Sequence, residues 1–184
     1  FSIRWYIELL QDERILNALS VTLSIAVIAM IVSTILGTLA AIGIHAMKKR
    51  PQALMMTLTN LPNTMPDIVT GISLMLLFLF TKVERGYVTM LLAHITFDTP
   101  YVILSVLPKL KQMNRHTYEA ALDLGATPMY ALFHVIIPQC KQGIITGAML
   151  AFTLSLDDFT ISYFTTSPLV QNLSTLIYSS ARKG

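Results

Sequence analysis

Four aspartates stand out in this sequence because each lies inside or beside a long stretch with almost no other charge. These acids are Asp67, Asp98, Asp157 and Asp158. A carboxylate among apolar residues is costly, and in membrane proteins such acids mark ion or substrate pathways. Four aromatic residues lie close to them in sequence: Phe97, Tyr101, Phe159 and Tyr163. Carboxylates replace the water that a cation loses, and aromatic faces attract organic cations, so the combination suits ammonium groups.

We expect Asp98 and Asp158 to face a pathway for a cation. Adjacent residues on a helix point about 100° apart, so Asp157 and Asp158 cannot both face one cavity. One of these two acids should instead cap a helix kink or pair with another subunit. The alternative interpretation is that each acid only satisfies backbone donors freed by nearby prolines. We prefer that structural role for Asp67 and Asp157, and for Asp98 and Asp158 both roles stay open.

The elements that must position these acids are membrane-spanning helices. The sequence is 54% hydrophobic and only 12% charged, whereas about a quarter of the residues in a soluble domain are charged. The 33 residues between Arg14 and Lys48 carry no charged side chain. Because a helix needs roughly 20 apolar residues to cross a bilayer, the uncharged blocks predict four spans. The predicted spans are about 16–47, 53–80, 87–108 and 142–166.

Proline interrupts two of these predicted spans. The segment Asn60–Asp67 contains Pro62 and Pro66, which predict that the helix breaks or kinks and restarts near Pro66. Asp67 would then lie in the first turn of the new helix, where the dipole favours an anion. The segment Phe97–Pro100 predicts a similar interruption in the third span. Broken backbone at membrane depth is typical of transporters, because it must be buried or line a wet cavity.

The two ends of the sequence and the flanking cations complete the predicted topology. Residues 1–15 are interpreted as an external amphipathic segment, with Trp5 and Tyr6 suited to the membrane interface. Residues 167–184 are interpreted as an external loop. Lys48, Lys49 and Arg50 directly follow the first span, and such clusters mark the cytoplasmic side. This orientation places the polar segment 117–138 in the cytoplasm.

Local rules fold that segment into a helix, a bend and a second helix. Thr117 can cap the first short helix, and Gly125 can take the left-handed conformation that ends it. Thr127 can cap a second helix that begins with Pro128 and closes at Pro138. The result is an elbow that is too polar at its start to enter the membrane.

This elbow also resembles a known motif. Glu119-Ala120-Ala121, then Gly125, then Ile136-Ile137-Pro138 match the EAA loop of ATP-binding-cassette importer permeases. The resemblance implies an all-α integral membrane protein with the bundle of type I (MetI-like) permeases, over permease domain 16–166. It also implies that the chain holds about four of six spans, without the first and last. In that family the first loop helix docks on the ATPase. The coupling residues implied here are Tyr118, Glu119, Ala120, Ala121, Asp123, Leu124, Gly125 and Pro138.

Three further stretches are similar to the permeases of spermidine/putrescine importers: Pro66–Ser73, Ala93–Pro100 and Ser155–Phe159. This resemblance implies a multi-pass protein of the bacterial inner membrane that carries polyamines. The implied partners are a homologous second permease, a dimer of ATP-binding subunits, and a periplasmic or lipid-anchored substrate-binding protein, besides membrane lipid. The residues expected along the substrate path are Asp98, Asp158, Asp157, Asp67, Phe97, Tyr101 and Phe159.

Other function classes have less support in the sequence. There is no Walker-type phosphate loop and no catalytic motif, so we expect no enzyme activity, and ATP should bind to the partner ATPase subunits. A single cysteine and four scattered histidines give no metal motif, and a net charge of +3 does not indicate nucleic-acid binding. Two alternatives stay open. The same architecture could import iron(III) or a small organic solute, or an ion gradient could drive a secondary transporter.

Overall fold

The computed structural model describes residues 11–114, 116–167 and 169–183. Within these ranges the chain is helical, apart from short connections and one isolated bridge between Ser167 and Val170. The predicted amphipathic segment Phe1–Leu10 lies outside the described residues. Two of the described helices are long and apolar enough to cross a membrane, and up to four spans result if each of two bent helix pairs counts as one. The all-α fold predicted from the sequence is confirmed.

Helix α1, Glu13–Ala46, corresponds to the first predicted span. It begins at Asp12, whose side chain accepts a hydrogen bond from the backbone N–H of Arg14 at 2.9 Å. Its 34 residues, at a rise of about 1.5 Å each, are longer than the roughly 30 Å hydrocarbon core of a bilayer. One face carries exposed apolar side chains such as Ile35 and Leu39, and the opposite face buries small residues. This division fits a helix with lipid on one side and protein on the other.

The second predicted span is two helices at a steep angle. Helix α2 covers Lys49–Thr64 and helix α3 covers Asp67–Phe80, and their axes differ by 106°. The predicted restart near Pro66 is confirmed, and Asp67 is the first residue of α3. With 16 and 14 residues, neither helix alone has the roughly 20 residues needed to cross a bilayer.

Helix α4, Tyr87–Gln112, runs through both Pro100 and Pro108 without a break. The predicted interruption at Pro100 is therefore wrong. Proline removes one backbone hydrogen bond, but α4 is packed along most of its length against neighbouring helices, and neighbours can hold a transmembrane helix together at such a residue. Tertiary packing outweighs the local preference at this position.

The elbow consists of helix α5, His116–Asp123, and helix α6, Pro128–Gln139. Gly125 has a φ of +88° between them, as predicted. Thr127 accepts a hydrogen bond from Tyr130 N–H at 3.3 Å, which confirms the predicted cap. Thr117 is not the cap of α5, because that helix already begins at His116.

Helix α6 contains a π-helical stretch, Leu132–Ile136, immediately before Pro138. In a regular α-helix the proline ring clashes with the carbonyl four residues earlier, and a wider turn relieves that clash. The helix therefore passes Pro138, where we predicted its end, and finishes one residue later at Gln139.

The last part of the chain is also broken. Helix α7, Lys141–Asp157, is followed by helix α8, Thr160–Thr165, so the predicted span 142–166 is not one continuous helix. Helix α9, Leu173–Lys183, occupies the segment predicted as an external loop.

Helix α4 forms the centre of the bundle between α1 and α7. A Cβ added at Gly37 of α1 would lie 2.6 Å from Val102 Cβ, and one at Gly147 of α7 would lie 3.1 Å from Val102 Cα. A Cβ at Gly143 would lie 2.8 Å from the carbonyl oxygen of Ser105. The contacts at Gly37 and Gly143 are closer than a side chain allows, and the one at Gly147 is tighter than most. Glycine therefore lets the helices approach closely. The close packing holds α7 against the face of α4 that carries the buried acid.

Candidate translocation and coupling sites

Asp98 is fully buried in the middle of α4, with 0% of its surface exposed. Its Oδ2 accepts a hydrogen bond from Ser155 Oγ of α7 at 2.6 Å. Its Oδ1 is buried without a hydrogen-bond partner among the described residues. A buried carboxylate is costly unless it is paired and fully hydrogen bonded. Asp98 therefore has one acceptor oxygen to offer to a group from outside this part of the chain.

His94 lies one turn before Asp98 on α4 and is likewise buried. Its Nδ1 lies 3.1 Å from Ser155 Oγ, and its Nε2 lies 3.0 Å from Ser162 Oγ. The same Nε2 is 3.7 Å from Asp158 Oδ2. The imidazole ring thus connects α4 with both α7 and α8, and it lies between two of the acids that the sequence singled out.

Asp158 occupies the break between α7 and α8 and caps the second of these helices. Its two oxygens accept hydrogen bonds from the backbone N–H groups of Ile161, at 3.1 Å, and Ser162, at 2.7 Å. Capping of this kind satisfies donors that a new helix leaves free. One of the two adjacent acids was expected to cap a kink, and in the structure it is Asp158. Asp157 is exposed at the end of α7.

Asn172 completes the group by joining the start of α9 to α8. Its Oδ1 accepts from the backbone N–H of Thr175 at 3.0 Å, and its Nδ2 donates to Ser162 Oγ at 2.8 Å. We call the connected set the polar cluster. Its members are His94, Asp98, Ser155, Asp158, Ser162 and Asn172.

Sequence reasoning named only the two acids of the polar cluster as site residues and missed the histidine that joins them. A usable signal was the spacing of four between His94 and Asp98, which puts this pair on one helix face. Asn172 had no such signal, because its partner on α8 is reached across a loop.

The other residues expected along a substrate path lie outside the polar cluster. Asp67 is exposed in the first turn of α3. The rings of Phe97 and Tyr101 are 5.3 Å apart on α4. The ring of Phe159 is 5.4 Å from that of Tyr163 and 4.9 Å from that of Tyr178, in a separate aromatic group.

The elbow presents an apolar surface to solvent. Leu124, at its bend, is 90% exposed, and Met129 and Phe133 of α6 are more than half exposed. A hollow of about 500 Å³ lies beside the bend, against Ala121 and Gly125. Exposed apolar surface of this kind is typical of protein or membrane interaction sites.

The remaining loop residues surround this surface. Glu119 Oε2 lies 3.1 Å from His116 Nδ1, and both side chains are exposed. Tyr118 is the anchor of α5, because it packs against the core formed by α1 and α4. The other expected coupling residues are exposed: Ala120, Asp123 and Pro138.

Comparison with known proteins agrees with this geometry. Residues 33–181 match the family described as binding-protein-dependent transport system inner membrane component. The chain is 40% identical over 191 residues to the putrescine transport system permease protein PotI of Escherichia coli K12, covering 100% of this chain and 68% of that protein. It is 33% identical over 184 residues to the spermidine/putrescine transport system permease protein PotC of the same strain, covering 100% of this chain and 70% of PotC.

A relative from another genus gives the same result. The spermidine/putrescine transport system permease protein PotC of Haemophilus influenzae is 32% identical over 184 residues, covering 100% of this chain and 72% of that protein. The resemblance to importer permeases that the EAA loop indicated is therefore confirmed. This chain belongs to the family of inner-membrane components of binding-protein-dependent transport systems.

Proposed function

We propose that this chain is the permease subunit of an ATP-driven importer that carries polyamines across the bacterial inner membrane. The relatives that it matches along its full length are named as putrescine and spermidine/putrescine permeases. The observation that carries the choice of cargo is Asp98, a fully buried carboxylate with one oxygen left without a partner in the described chain. An ammonium group is the complement of such an oxygen, because it brings both charge and donors.

The nearby aromatic pair supports the same cargo. Phe97 directly precedes Asp98 on α4 and Tyr101 follows it within one turn, and their rings are 5.3 Å apart. A methylene chain between two ammonium groups needs apolar surface, and its charged ends gain from aromatic faces. We infer that this face of α4 lies along the route, together with residues of a second permease. Both oxygens of Asp158 already accept backbone hydrogen bonds at the start of α8, so we infer that this residue shapes the helix break beside the route.

We infer that the elbow is the contact with the ATPase and lies in the cytoplasm. The end of α1, the end of α4 and the elbow share one hydrophobic core, so they lie at the same end of the bundle. The cation cluster Lys48, Lys49 and Arg50 lies at that end, directly after α1, and the positive-inside bias favours such a cluster on the cytoplasmic face. Lys109, Lys111 and Lys141 lie at the same end.

The exposed side chains of the elbow support this contact. Leu124 and Met129 would be poorly placed in water, and a cleft in an ATPase subunit would cover them. The complete machine then consists of this chain, a second permease, a pair of ATPases and an external substrate-binding protein. The chain itself contributes no ATP site.

Uptake by the reconstituted transporter tests the proposal. All subunits are placed in lipid vesicles with ATP inside, and the entry of radiolabelled putrescine and spermidine is measured with and without vanadate. We expect uptake that needs the ATPase subunits and stops with vanadate. Entry of neither polyamine, with uptake of an iron(III) chelate or another solute instead, would reject polyamines as cargo. Uptake that depends on an ion gradient and not on ATP would reject the importer itself.

A further inference from the structure

In each hydrogen bond of the polar cluster, the donor and the acceptor can be identified, starting from one backbone N–H group. The backbone N–H of Thr175 can only donate, and it lies 3.0 Å from Asn172 Oδ1. That contact identifies the carbonyl end of the asparagine amide. The other end is therefore the NH₂ group, which donates to Ser162 Oγ at 2.8 Å.

The direction continues through the histidine ring. Since Ser162 Oγ accepts from Asn172, its own proton is available to His94 Nε2 at 3.0 Å. A neutral imidazole that accepts at Nε2 carries its proton on Nδ1. That Nδ1–H donates to Ser155 Oγ at 3.1 Å, and the Ser155 hydroxyl donates to Asp98 Oδ2 at 2.6 Å.

The other neutral form of the ring, with its proton on Nε2, leaves a hydroxyl proton without an acceptor. If Nε2 carried a proton, Ser162 Oγ would receive two hydrogen bonds, and its own proton would find no acceptor among the described residues. A proton on Nε2 could not be donated to Asp158 instead. The Oδ2 of Asp158 lies 3.7 Å from Nε2, beyond hydrogen-bond distance, and it already accepts from Ser162 N–H. The neutral ring, with its proton on Nδ1, is the arrangement that gives both ring nitrogens and both serine hydroxyl groups a partner.

The chain of donors ends at one oxygen of the Asp98 carboxyl group. Four consecutive hydrogen bonds, from Asn172 to Asp98, point towards Oδ2, and aligned bonds polarise one another. The other oxygen, Oδ1, has no partner within the described chain. The arrangement thus fixes the carboxyl group through Oδ2 and leaves Oδ1 as an oriented acceptor.

We propose that His94 is a positioning residue, a neutral ring protonated on Nδ1 that holds Asp98 through Ser155, so that Oδ1 is oriented to accept from a cargo ammonium group. This inference rests on the proposed function for the identity of the cargo. The protonation state of the ring does not depend on the cargo and can be measured separately.

The first test compares transport with ATP hydrolysis in the assembled transporter. His94→Gln and Ser155→Ala break the link to Asp98, and we expect the amount of putrescine carried per ATP to fall at least about tenfold, equivalent to about 1.4 kcal/mol. His94→Asn places an amide donor near the position of Nδ1 and should lose less than His94→Gln. Ser105→Ala is the matched control, because that hydroxyl donates only to the Tyr101 carbonyl of its own helix.

The second test reads the ring directly by ¹⁵N NMR of the transporter in lipid, with histidine labelled in this chain only. The spectrum of His94 is assigned by difference from His94→Gln. We expect one protonated nitrogen, Nδ1, with its signal altered in Ser155→Ala. A doubly protonated ring, or a proton on Nε2, would overturn the proposal.

The outcomes separate the two proposals. A wild-type transporter that carries neither putrescine nor spermidine rejects the proposed function, and the NMR result still decides the state of His94. A wild-type transporter that works, with cargo per ATP unchanged in His94→Gln and Ser155→Ala, rejects the positioning role. Equal losses in His94→Asn and His94→Gln would also reject it, because a merely structural ring would give that result.

Discussion

Gly37 offers a direct test of the helix packing that holds the polar cluster together. A Cβ at this position would lie 2.6 Å from Val102 Cβ and 3.1 Å from the carbonyl oxygen of Thr99. Val102 is fully buried and β-branched, so it has little freedom to move aside. Overpacking of this kind typically costs about 1–3 kcal/mol. We expect Gly37→Ala to destabilise the folded chain by that amount.

Gly43 on the same helix provides the control. A Cβ there meets no neighbour within 4 Å. Alanine is favoured over glycine inside a helix by roughly 0.5–1 kcal/mol, so Gly43→Ala should leave stability unchanged or raise it. The two substitutions are chemically identical, and only the space around them differs.

The single cysteine makes the measurement possible. Cys140 is 2% exposed between α6 and α7, so a thiol-reactive dye reports the temperature at which the bundle opens. The assay uses the assembled transporter with cysteine-free partner subunits. A loss of 1–3 kcal/mol corresponds to a fall of about 2–12 °C for a chain of this size. Adding Val102→Ala to Gly37→Ala should cost less than the sum of the two single changes, because it removes the clash. Equal shifts for the two glycine variants, or strictly additive effects, would refute the packing argument.

Three further predictions concern transport. Asp98→Asn should lower polyamine uptake in vesicles at least about tenfold, since a hydrogen bond to a charged group is worth about 1.5–3 kcal/mol, while the exposed Asp157→Asn should not. Gly125→Pro should uncouple ATP hydrolysis from uptake because φ is +88° there, whereas Gly125→Asn, which tolerates this conformation, should keep most of the coupling. Leu124→Asp should weaken the copurification of the ATPase, whereas Leu169→Asp, equally exposed but outside the elbow, should not. Normal uptake in Asp98→Asn, intact coupling in Gly125→Pro, or full ATPase recovery with Leu124→Asp would contradict the respective role.

Features set by neighbouring residues could be predicted from the sequence. The helix restart at Pro66, the left-handed Gly125 and the cap formed by Thr127 each depend on a few adjacent residues. The steric rules for proline, glycine and capping side chains act at that range, so the sequence alone is sufficient. The EAA loop was recognisable for the same reason, because its motif is continuous in the chain.

Features set by distant residues could not be predicted. Pro100 predicted a break, but α4 continues because α1 and α7 pack against it. The break at Asp158 has no proline or glycine beside it, and it depends on a cap that forms only once α8 turns towards α3 and α4. The contacts of His94 join residues 61 and 68 positions apart, which no local pattern contains.

The hydrogen bonds and exposure of the four aspartates indicate which of them can bind the cargo. Both oxygens of Asp158 accept hydrogen bonds from backbone N–H groups at the start of α8. Asp67 and Asp157 are exposed rather than enclosed by the described chain. Asp98 alone of the four is both buried and short of a hydrogen-bond partner within the described residues. A polyamine carries at least two ammonium groups, so one carboxylate cannot hold it at both ends. We therefore expect the second anionic contact to come from the partner permease, facing Asp98 across the route. Cargo of the right length would then be selected by the distance between two acids on two subunits.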